Sequence, residues 1–124
     1  MRILLVGLGG FAGSVIRYLS SGWMHEAFPA VSFPIGTLFV NVSGCLVIGI
    51  LGGLSEFYSV FTPHVRLFVF VGILGGFTTF STFGNETMAL VRDGQFMWAF
   101  MNVFLSVGAG LFAVWLGQAF ARVV

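Results

Sequence analysis

The third long apolar segment of the chain contains an unusual concentration of glycine, hydroxyl and phenylalanine residues. Residues 72–83 read Gly-Ile-Leu-Gly-Gly-Phe-Thr-Thr-Phe-Ser-Thr-Phe. A continuous helix gains nothing from this composition, and two glycines followed by two threonines favour a helix break. At membrane depth, broken backbone is tolerated only where it is buried in protein or lines a cavity, and broken transporter helices bind ions with their freed carbonyls. The segment therefore predicts an ion site or, alternatively, a kink that only packs.

Two phenylalanines in this segment have a spacing that suits an anion. If the helix resumes after Thr79, Phe80 and Phe83 share one face, while Ser81 and Thr82 point elsewhere. The edge of an aromatic ring is electropositive. Two such edges can help to solvate a small anion without the tight binding that a lysine or arginine would impose. Weak binding suits conduction, because an ion must be able to leave each site.

Two other apolar segments carry polar pairs at helical spacing. Thr37 and Asn41 are one pair, and Asn102 and Ser106 repeat the same spacing of four residues. In hydrocarbon these groups must find partners, either in an ion pathway or in hydrogen bonds between helices worth about 0.6 to 2 kcal/mol each. For Asn41 the residues alone favour neither role over the other.

Four membrane helices are needed to position these residues. Of 124 residues, 58% are hydrophobic and 7% charged, whereas soluble domains carry roughly 25% charged residues. A bilayer core of ~30 Å needs about 20 apolar residues, so we place helices at about residues 3–20, 35–54, 66–90 and 96–121. The predicted fold is an all-α membrane protein, one four-helix domain over residues 1–124 with the third helix broken in mid-membrane.

The arginines are distributed almost evenly between the two sides of these spans. Arg2, Arg66 and Arg122 fall on the side of both chain ends, and Arg17 and Arg92 fall on the other. The positive-inside rule orients a protein through its Lys/Arg imbalance. Three against two therefore predicts insertion in both orientations, and a homodimer of oppositely oriented subunits follows as a hypothesis.

Several other functions find no support in the residues. A net charge of +1 is far too small for nucleic-acid binding. Cys45 has no disulfide partner, and His25 and His64 lie in different connections without ligands at zinc spacing. There is no serine-histidine-aspartate, cysteine-histidine or paired-carboxylate arrangement, so we expect the chain not to be an enzyme.

Glu86 and Arg17 are costly in a bilayer, and both lie near predicted span ends, which lowers the cost.

Three motifs together resemble the small Fluc/CrcB fluoride channels, and the resemblance covers essentially the whole chain. They are Gly-Gly-Phe-Ala-Gly-Ser-Val-Ile-Arg ending at Arg17, Gly-Thr-Leu-Phe-Val-Asn over residues 36–41, and Gly-Gly-Phe-Thr-Thr-Phe-Ser-Thr-Phe over residues 75–83. The resemblance implies an antiparallel, dual-topology homodimer with two pores in a bacterial inner membrane. It also implies that fluoride passes outward through this dimer, which lowers fluoride in the cell.

The resemblance also assigns roles to individual residues. It makes the backbone carbonyls of Gly75 and Thr78 ligands of a structural sodium ion that both subunits share and that is not transported. It assigns four residues to the fluoride pathways: Asn41, Phe80, Phe83 and Ser106. It assigns a polar track beside them to Thr37, Ser81 and Thr82, to which we add Glu86 and Asn102. Glu86 and Arg17 fit the pattern of the family. Asn102 departs from members that carry tyrosine or histidine there.

Two other functions compete with a fluoride channel. A dual-topology, proton-coupled exporter of multiple cationic drugs requires a membrane-embedded carboxylate, for which the first three helices offer only Glu86. A non-transporting assembly subunit would use its polar residues to hold helices together, and the Phe-Ser-Thr-Phe run would then serve no purpose. We expect a passive fluoride channel that interacts with fluoride, lipid and a second copy of itself, and not with nucleic acid.

Overall fold

The computed structural model describes residues 1–124 and is helical apart from short connections. Four segments are long and apolar enough to cross a membrane: Arg2–Ala27, Ile35–Tyr58, Pro63–Arg92 and Phe96–Ala121. Three are continuous helices, labelled α1 (Arg2–Ala27), α2 (Ile35–Tyr58) and α6 (Phe96–Ala121). The prediction of an all-helical, multi-pass membrane protein with four spans is confirmed.

The third span is interrupted near its middle. It consists of α3 (Pro63–Arg66), a π-helix π1 (Leu67–Leu74), α4 (Gly75–Phe77) and α5 (Phe80–Arg92). Between α4 and α5, Thr78 and Thr79 are extended, with φ/ψ of −80°/153° and −148°/109°. The interruption lies inside the segment where the composition predicts a break. The π-helix is not among the predicted elements.

The first helix is longer than the sequence analysis proposes, since it ends at Ala27 rather than near residue 20. Its last turns contain polar residues that resemble a connection, but no proline interrupts them before Pro29. A residue that precedes proline disfavours the helical conformation, which explains the end of α1 just before this position. Arg17 consequently lies well inside α1 instead of near its end. It therefore no longer counts among the charges that flank the spans, and the flanking arginines are three against one.

The break allows the third span to change neighbours. Before the break, π1 and α4 pack along α1, and after it α5 packs against α6. The helix α2 packs along α6 and also contacts α1. The broken segment therefore lies where the two halves of the bundle meet.

Glycines allow the closest helix contacts. A Cβ atom on Gly9 or Gly13 of α1 would overlap backbone atoms of π1. A Cβ atom on Gly49 of α2 or on Gly117 of α6 would overlap the backbone of the opposite helix. Membrane helices associate through such small-residue faces, where backbones approach closely. These contacts hold π1 against α1 and hold α2 against α6.

Candidate functional site

The break releases backbone carbonyls from their helical partners, among them those of Gly75 and Thr78. In a continuous helix the amide of Thr79 would donate to the carbonyl of Gly75. Here the Thr79 N–H donates to Oδ1 of Asn41 at 2.7 Å. In the same way, the Thr82 N–H donates to Oγ1 of Thr79 at 3.3 Å and leaves the carbonyl of Thr78 without its helical donor. The two carbonyls named by the resemblance are thus among those that the break frees.

The side-chain amide of Asn41 binds both backbone polar groups of Thr79 at the break. Besides accepting from Thr79, Asn41 donates from Nδ2 to the Thr79 carbonyl at 3.0 Å. One amide thus satisfies both polar groups of a residue that has left the helix. The second hydrogen of Nδ2 is not used in this pairing, so Asn41 keeps one free donor.

Arg17 contacts the break from the side of α1. Its Nε donates to the carbonyl oxygen of Gly76 at 3.1 Å. In a continuous helix that carbonyl would accept from Phe80. The guanidinium therefore satisfies a third backbone group at the break and brings a positive charge close to it.

A groove opens beside the break, and we call it the phenylalanine groove. It has a volume of about 390 Å³, and its lining includes Asn41, Cys45, Gly75, Thr78, Thr79, Phe80, Phe83 and Ser106. The rings of Phe80 and Phe83 lie together, with centroids 5.5 Å apart and planes at 47°. Phe80 projects from the chain with 84% of its surface exposed. No charged side chain lines this groove, which suits weak and reversible contact with an ion.

The hydroxyl of Ser106 has no hydrogen-bond partner although it is buried. It lies in the lining of the phenylalanine groove together with Phe83. An unpaired buried hydroxyl costs about 1 to 3 kcal/mol. The Ser106 hydroxyl therefore carries a hydrogen that no protein group accepts.

A second groove, which we call the polar groove, lies on the other side of Thr79. Its volume is about 590 Å³, and its lining includes Arg17, His25, Glu26, Thr37, Thr79 and Thr82. Next to it, the Thr37 hydroxyl donates to Oε1 of Glu86 at 2.8 Å, and Oε2 of Glu86 is buried without a partner. Thr79 is the residue that lines both grooves.

The structure divides the predicted site residues between these surroundings. The phenylalanine groove collects six of them: Asn41, Gly75, Thr78, Phe80, Phe83 and Ser106. The polar groove collects Thr37 and Thr82. Ser81 is exposed, with its hydroxyl 3.5 Å from that of Thr79, and Glu86 binds Thr37. Asn102 lies apart, almost fully buried, and binds Thr87.

Two residues at the site were missed by the sequence analysis. Thr79 caps α5, because its hydroxyl accepts from the amide of Thr82. A threonine directly before a resumed helix is a recognised N-cap signal, so this role was readable from the sequence. Thr87 donates to the carbonyl of Phe83 at 2.8 Å. Its hydrogen bond with Asn102 depends on how α5 packs on α6, so no local sequence pattern predicts it.

The donor set at the break fits a hard monovalent cation. No group of three or more His, Cys, Asp or Glu side chains is arranged to hold a metal ion. The oxygens on offer are the carbonyls of Gly75 and Thr78, which the hydrogen bonds of Asn41 and Thr79 set free. Unwound backbone carbonyls are the ligands with which broken membrane helices coordinate Na⁺. Two carbonyls are too few for one ion, so further ligands would be needed to complete the set.

Comparison with known proteins identifies relatives over nearly the whole chain. The family model described as "CrcB-like protein, Camphor Resistance (CrcB)" matches residues 4–118. A protein of Elusimicrobium minutum named "Fluoride-specific ion channel FluC" is 48% identical over 123 residues, covering 99% of this chain and 95% of the relative.

Two further relatives carry similar names. "Fluoride-specific ion channel FluC" of Shewanella sp. (strain ANA-3) is 45% identical over 124 residues, with 98% of each chain covered. "Fluoride-specific ion channel FluC 1" of Methanosarcina acetivorans is 43% identical over 116 residues, covering 94% of this chain and 87% of the relative.

Proposed function

The chain belongs to the CrcB-like family, and from this membership we propose that it is a fluoride-selective channel that passes F⁻ out of the cell passively. Lower fluoride in the cytoplasm would be the result. The observation that carries the proposal is the phenylalanine groove, which two phenylalanine rings and a serine with an unpaired hydroxyl line beside a mid-span break. The relatives are named as ion channels, which agrees with the expectation that the chain is not an enzyme.

The groove offers fluoride a replacement for part of its hydration shell. The electropositive ring edges of Phe80 and Phe83, the Ser106 hydroxyl and the free amide hydrogen of Asn41 are all neutral donors. No lysine or arginine lines the groove. A small anion is therefore solvated without being trapped, which conduction requires.

A second copy of the chain completes the site in this proposal. Phe80 is 84% exposed, and Gly75 is exposed as well, although both line the groove. The break lies near the middle of its span. In an antiparallel pair related by an axis in the membrane plane, segments at mid-depth are the ones that meet their own copies. An antiparallel homodimer would therefore bring two breaks together and create two grooves.

The proposed cofactor is a structural sodium ion between the two breaks. Gly75 and Thr78 of each chain would contribute their carbonyl oxygens, which gives four ligands in the dimer. The ion would offset the negative ends of these carbonyl dipoles and tie the subunits together. Asn41 and Arg17 support this site by binding the neighbouring backbone of Thr79 and Gly76.

We also propose that the protein resides in a bacterial inner membrane in both orientations. Helical spans suit this membrane, since bacterial outer-membrane proteins are typically β-barrels. The two orientations follow from the proposed antiparallel dimer, because the flanking arginines by themselves favour one orientation. Fusions of cytoplasmic and periplasmic reporters to the C-terminus test this, and signal from a single reporter would exclude dual topology.

Electrogenic fluoride efflux from liposomes tests the channel proposal directly. Vesicles with purified protein are loaded with KF, efflux is triggered with valinomycin in sodium buffer, and KCl-loaded vesicles are the control. We expect rapid fluoride release and no chloride release. Absence of fluoride release from verified, folded dimers would overturn the proposal. Proton-coupled export of cationic drugs, which no relative named above supports, would then be assayed next.

A further inference from the structure

Asn102 takes part in a chain of hydrogen bonds that ends at the backbone of Phe83. Asn102 is only 1% exposed, the lowest value among the buried polar residues. Its Nδ2 donates to Oγ1 of Thr87 at 2.9 Å. The same Thr87 hydroxyl donates to the carbonyl oxygen of Phe83 at 2.8 Å. A buried amide on α6 is thus connected through one hydroxyl to the helical turn that carries a wall of the phenylalanine groove.

This connection is the one side-chain hydrogen bond between α5 and α6. Other polar contacts of α5 go to α2, through Glu86 and Thr37, or to its own N-terminal cap at Thr79. The apolar surfaces of α5 and α6 pack together, but apolar contacts between membrane helices are tolerant of small slides and rotations. A buried hydrogen bond does not tolerate such movements, because displacement of either helix leaves polar groups unpaired in an apolar environment.

The positions of Asn102 and Thr87 along their helices match the positions of the groove residues Ser106 and Phe83. A short turn joins α5 to α6, so the two helices run in opposite directions. One turn before Thr87 on α5 lies Phe83, and one turn after Asn102 on α6 lies Ser106. The hydrogen bond between Asn102 and Thr87 therefore aligns Phe83 with Ser106 in the next layer, and both residues line the phenylalanine groove.

We propose that Asn102, acting through Thr87, is a positioning residue that holds the Phe83 ring opposite the Ser106 hydroxyl. Neither Asn102 nor Thr87 lines the groove, so neither contacts the ion itself. Their task is to fix the distance and angle between two groups that do. This inference rests on the proposed function, since it concerns the pathway by which fluoride passes.

A matched pair of substitutions at Thr87 tests this role. Thr87→Val keeps the shape of the side chain and removes the hydroxyl, whereas Thr87→Ser keeps the hydroxyl. In the liposome assay we expect Thr87→Val and Asn102→Leu each to slow fluoride efflux by about three- to thirty-fold, the factor that one hydrogen bond between membrane helices represents. Thr87→Ser should stay within about two-fold of the unaltered protein, and the double variant should be no slower than the slower single variant.

A second measurement separates positioning from general damage. In a Ser106→Ala background the aligned contact no longer exists, so Thr87→Val should slow efflux much less than it does in the unaltered protein. Equal slowing in both backgrounds, or a Thr87→Ser variant as slow as Thr87→Val, would overturn the inference. Size-exclusion chromatography verifies dimers for each variant. If Asn102→Leu does not fold, the efflux rates of the two Thr87 variants decide whether this hydrogen bond positions Phe83. Failure of the unaltered protein to conduct would instead refute the proposed function.

Discussion

Asn41 and Thr79 are joined by two hydrogen bonds, one from the Thr79 amide to Oδ1 and one from Nδ2 to the Thr79 carbonyl, at 2.7 and 3.0 Å. The side chain of one helix thereby replaces the backbone partners that the other helix has lost. Such replacement is what makes an interrupted helix tolerable at membrane depth, where no water is available to pair with the backbone. The pairing makes Asn41 a structural residue as well as a candidate donor to fluoride.

Removing the Asn41 amide should destabilise the protein. Asn41→Leu leaves both polar groups of Thr79 unpaired, and we expect a loss of about 1 to 3 kcal/mol for this change. Asn41→Asp keeps the acceptor for the Thr79 amide, so its stability should lie between that of Asn41→Leu and that of the unaltered protein. Thermal unfolding of the purified dimer in detergent measures the loss. Ser43→Ala is the control, because the Ser43 hydroxyl bonds only to the carbonyl of Val40 in its own helix. Equal stability of Asn41→Leu and the control would contradict the assigned role.

Ser106→Ala should separate conduction from stability. The Ser106 hydroxyl is buried without a partner, so its removal leaves stability unchanged or raises it. Fluoride loses one donor in the groove, and we expect efflux about ten-fold slower, which corresponds to one hydrogen bond. Liposome efflux and thermal unfolding of the same preparation give the two values. A variant that conducts normally would remove Ser106 from the pathway.

Phe80→Ile should slow fluoride efflux by about ten-fold or more, because isoleucine has no electropositive ring edge. Each subunit should remain folded, since within one chain the Phe80 ring is mostly exposed and pairs only with Phe83. Size-exclusion chromatography verifies the dimer. Phe120→Ile is a suitable control, as this phenylalanine is also exposed but lies outside the lining of the groove. Unaltered efflux in Phe80→Ile, at equal protein incorporation, would refute the contribution of the ring.

Replacing Na⁺ by a large organic cation should abolish efflux and lower the thermal stability of the dimer. A ligand that binds only the folded protein stabilises it by about 2.7 kcal/mol at a concentration of 100 times Kd. Returning sodium should restore both properties. The stability measurement needs no transport, so it tests the proposed cation site independently of conduction. Indifference of the unfolding temperature to sodium would argue against that site.

Two glycines of α1 should respond oppositely to alanine. A Cβ at Gly9 would meet the backbone of π1, whereas nothing lies within 4 Å of a Cβ at Gly7. Gly9→Ala forces the helices apart, and we expect it to cost about 1 to 3 kcal/mol. Gly7→Ala should be neutral or stabilising by up to about 1 kcal/mol, through helix propensity alone. Comparable unfolding temperatures for the two variants would contradict the close packing of α1 on the third span.

Composition and spacing predict much of this fold, because long charge-free windows leave few alternatives in a bilayer. The break is equally predictable, since Gly-Gly-Phe-Thr-Thr has little reason to stay helical. The continuation of α1 to Ala27 escapes such reasoning, because its polar last turns resemble a connection. The π-helix leaves no compositional mark, as it differs from an α-helix only in its hydrogen-bond partners. The contact between Arg17 and Gly76 depends on how two distant helices pack, which periodicity does not encode.

The position of the break also has a consequence for biosynthesis. The part of the third span before Thr78 is about 15 residues long, or roughly 22 Å at 1.5 Å per residue, and is too short to cross a bilayer core of about 30 Å. Both halves must therefore enter the membrane as one unit, with an unpaired backbone at its centre. Asn41 lies earlier in the chain, on α2, and is made first. The order of synthesis thus means that the partner of Thr79 leaves the ribosome before the broken segment does.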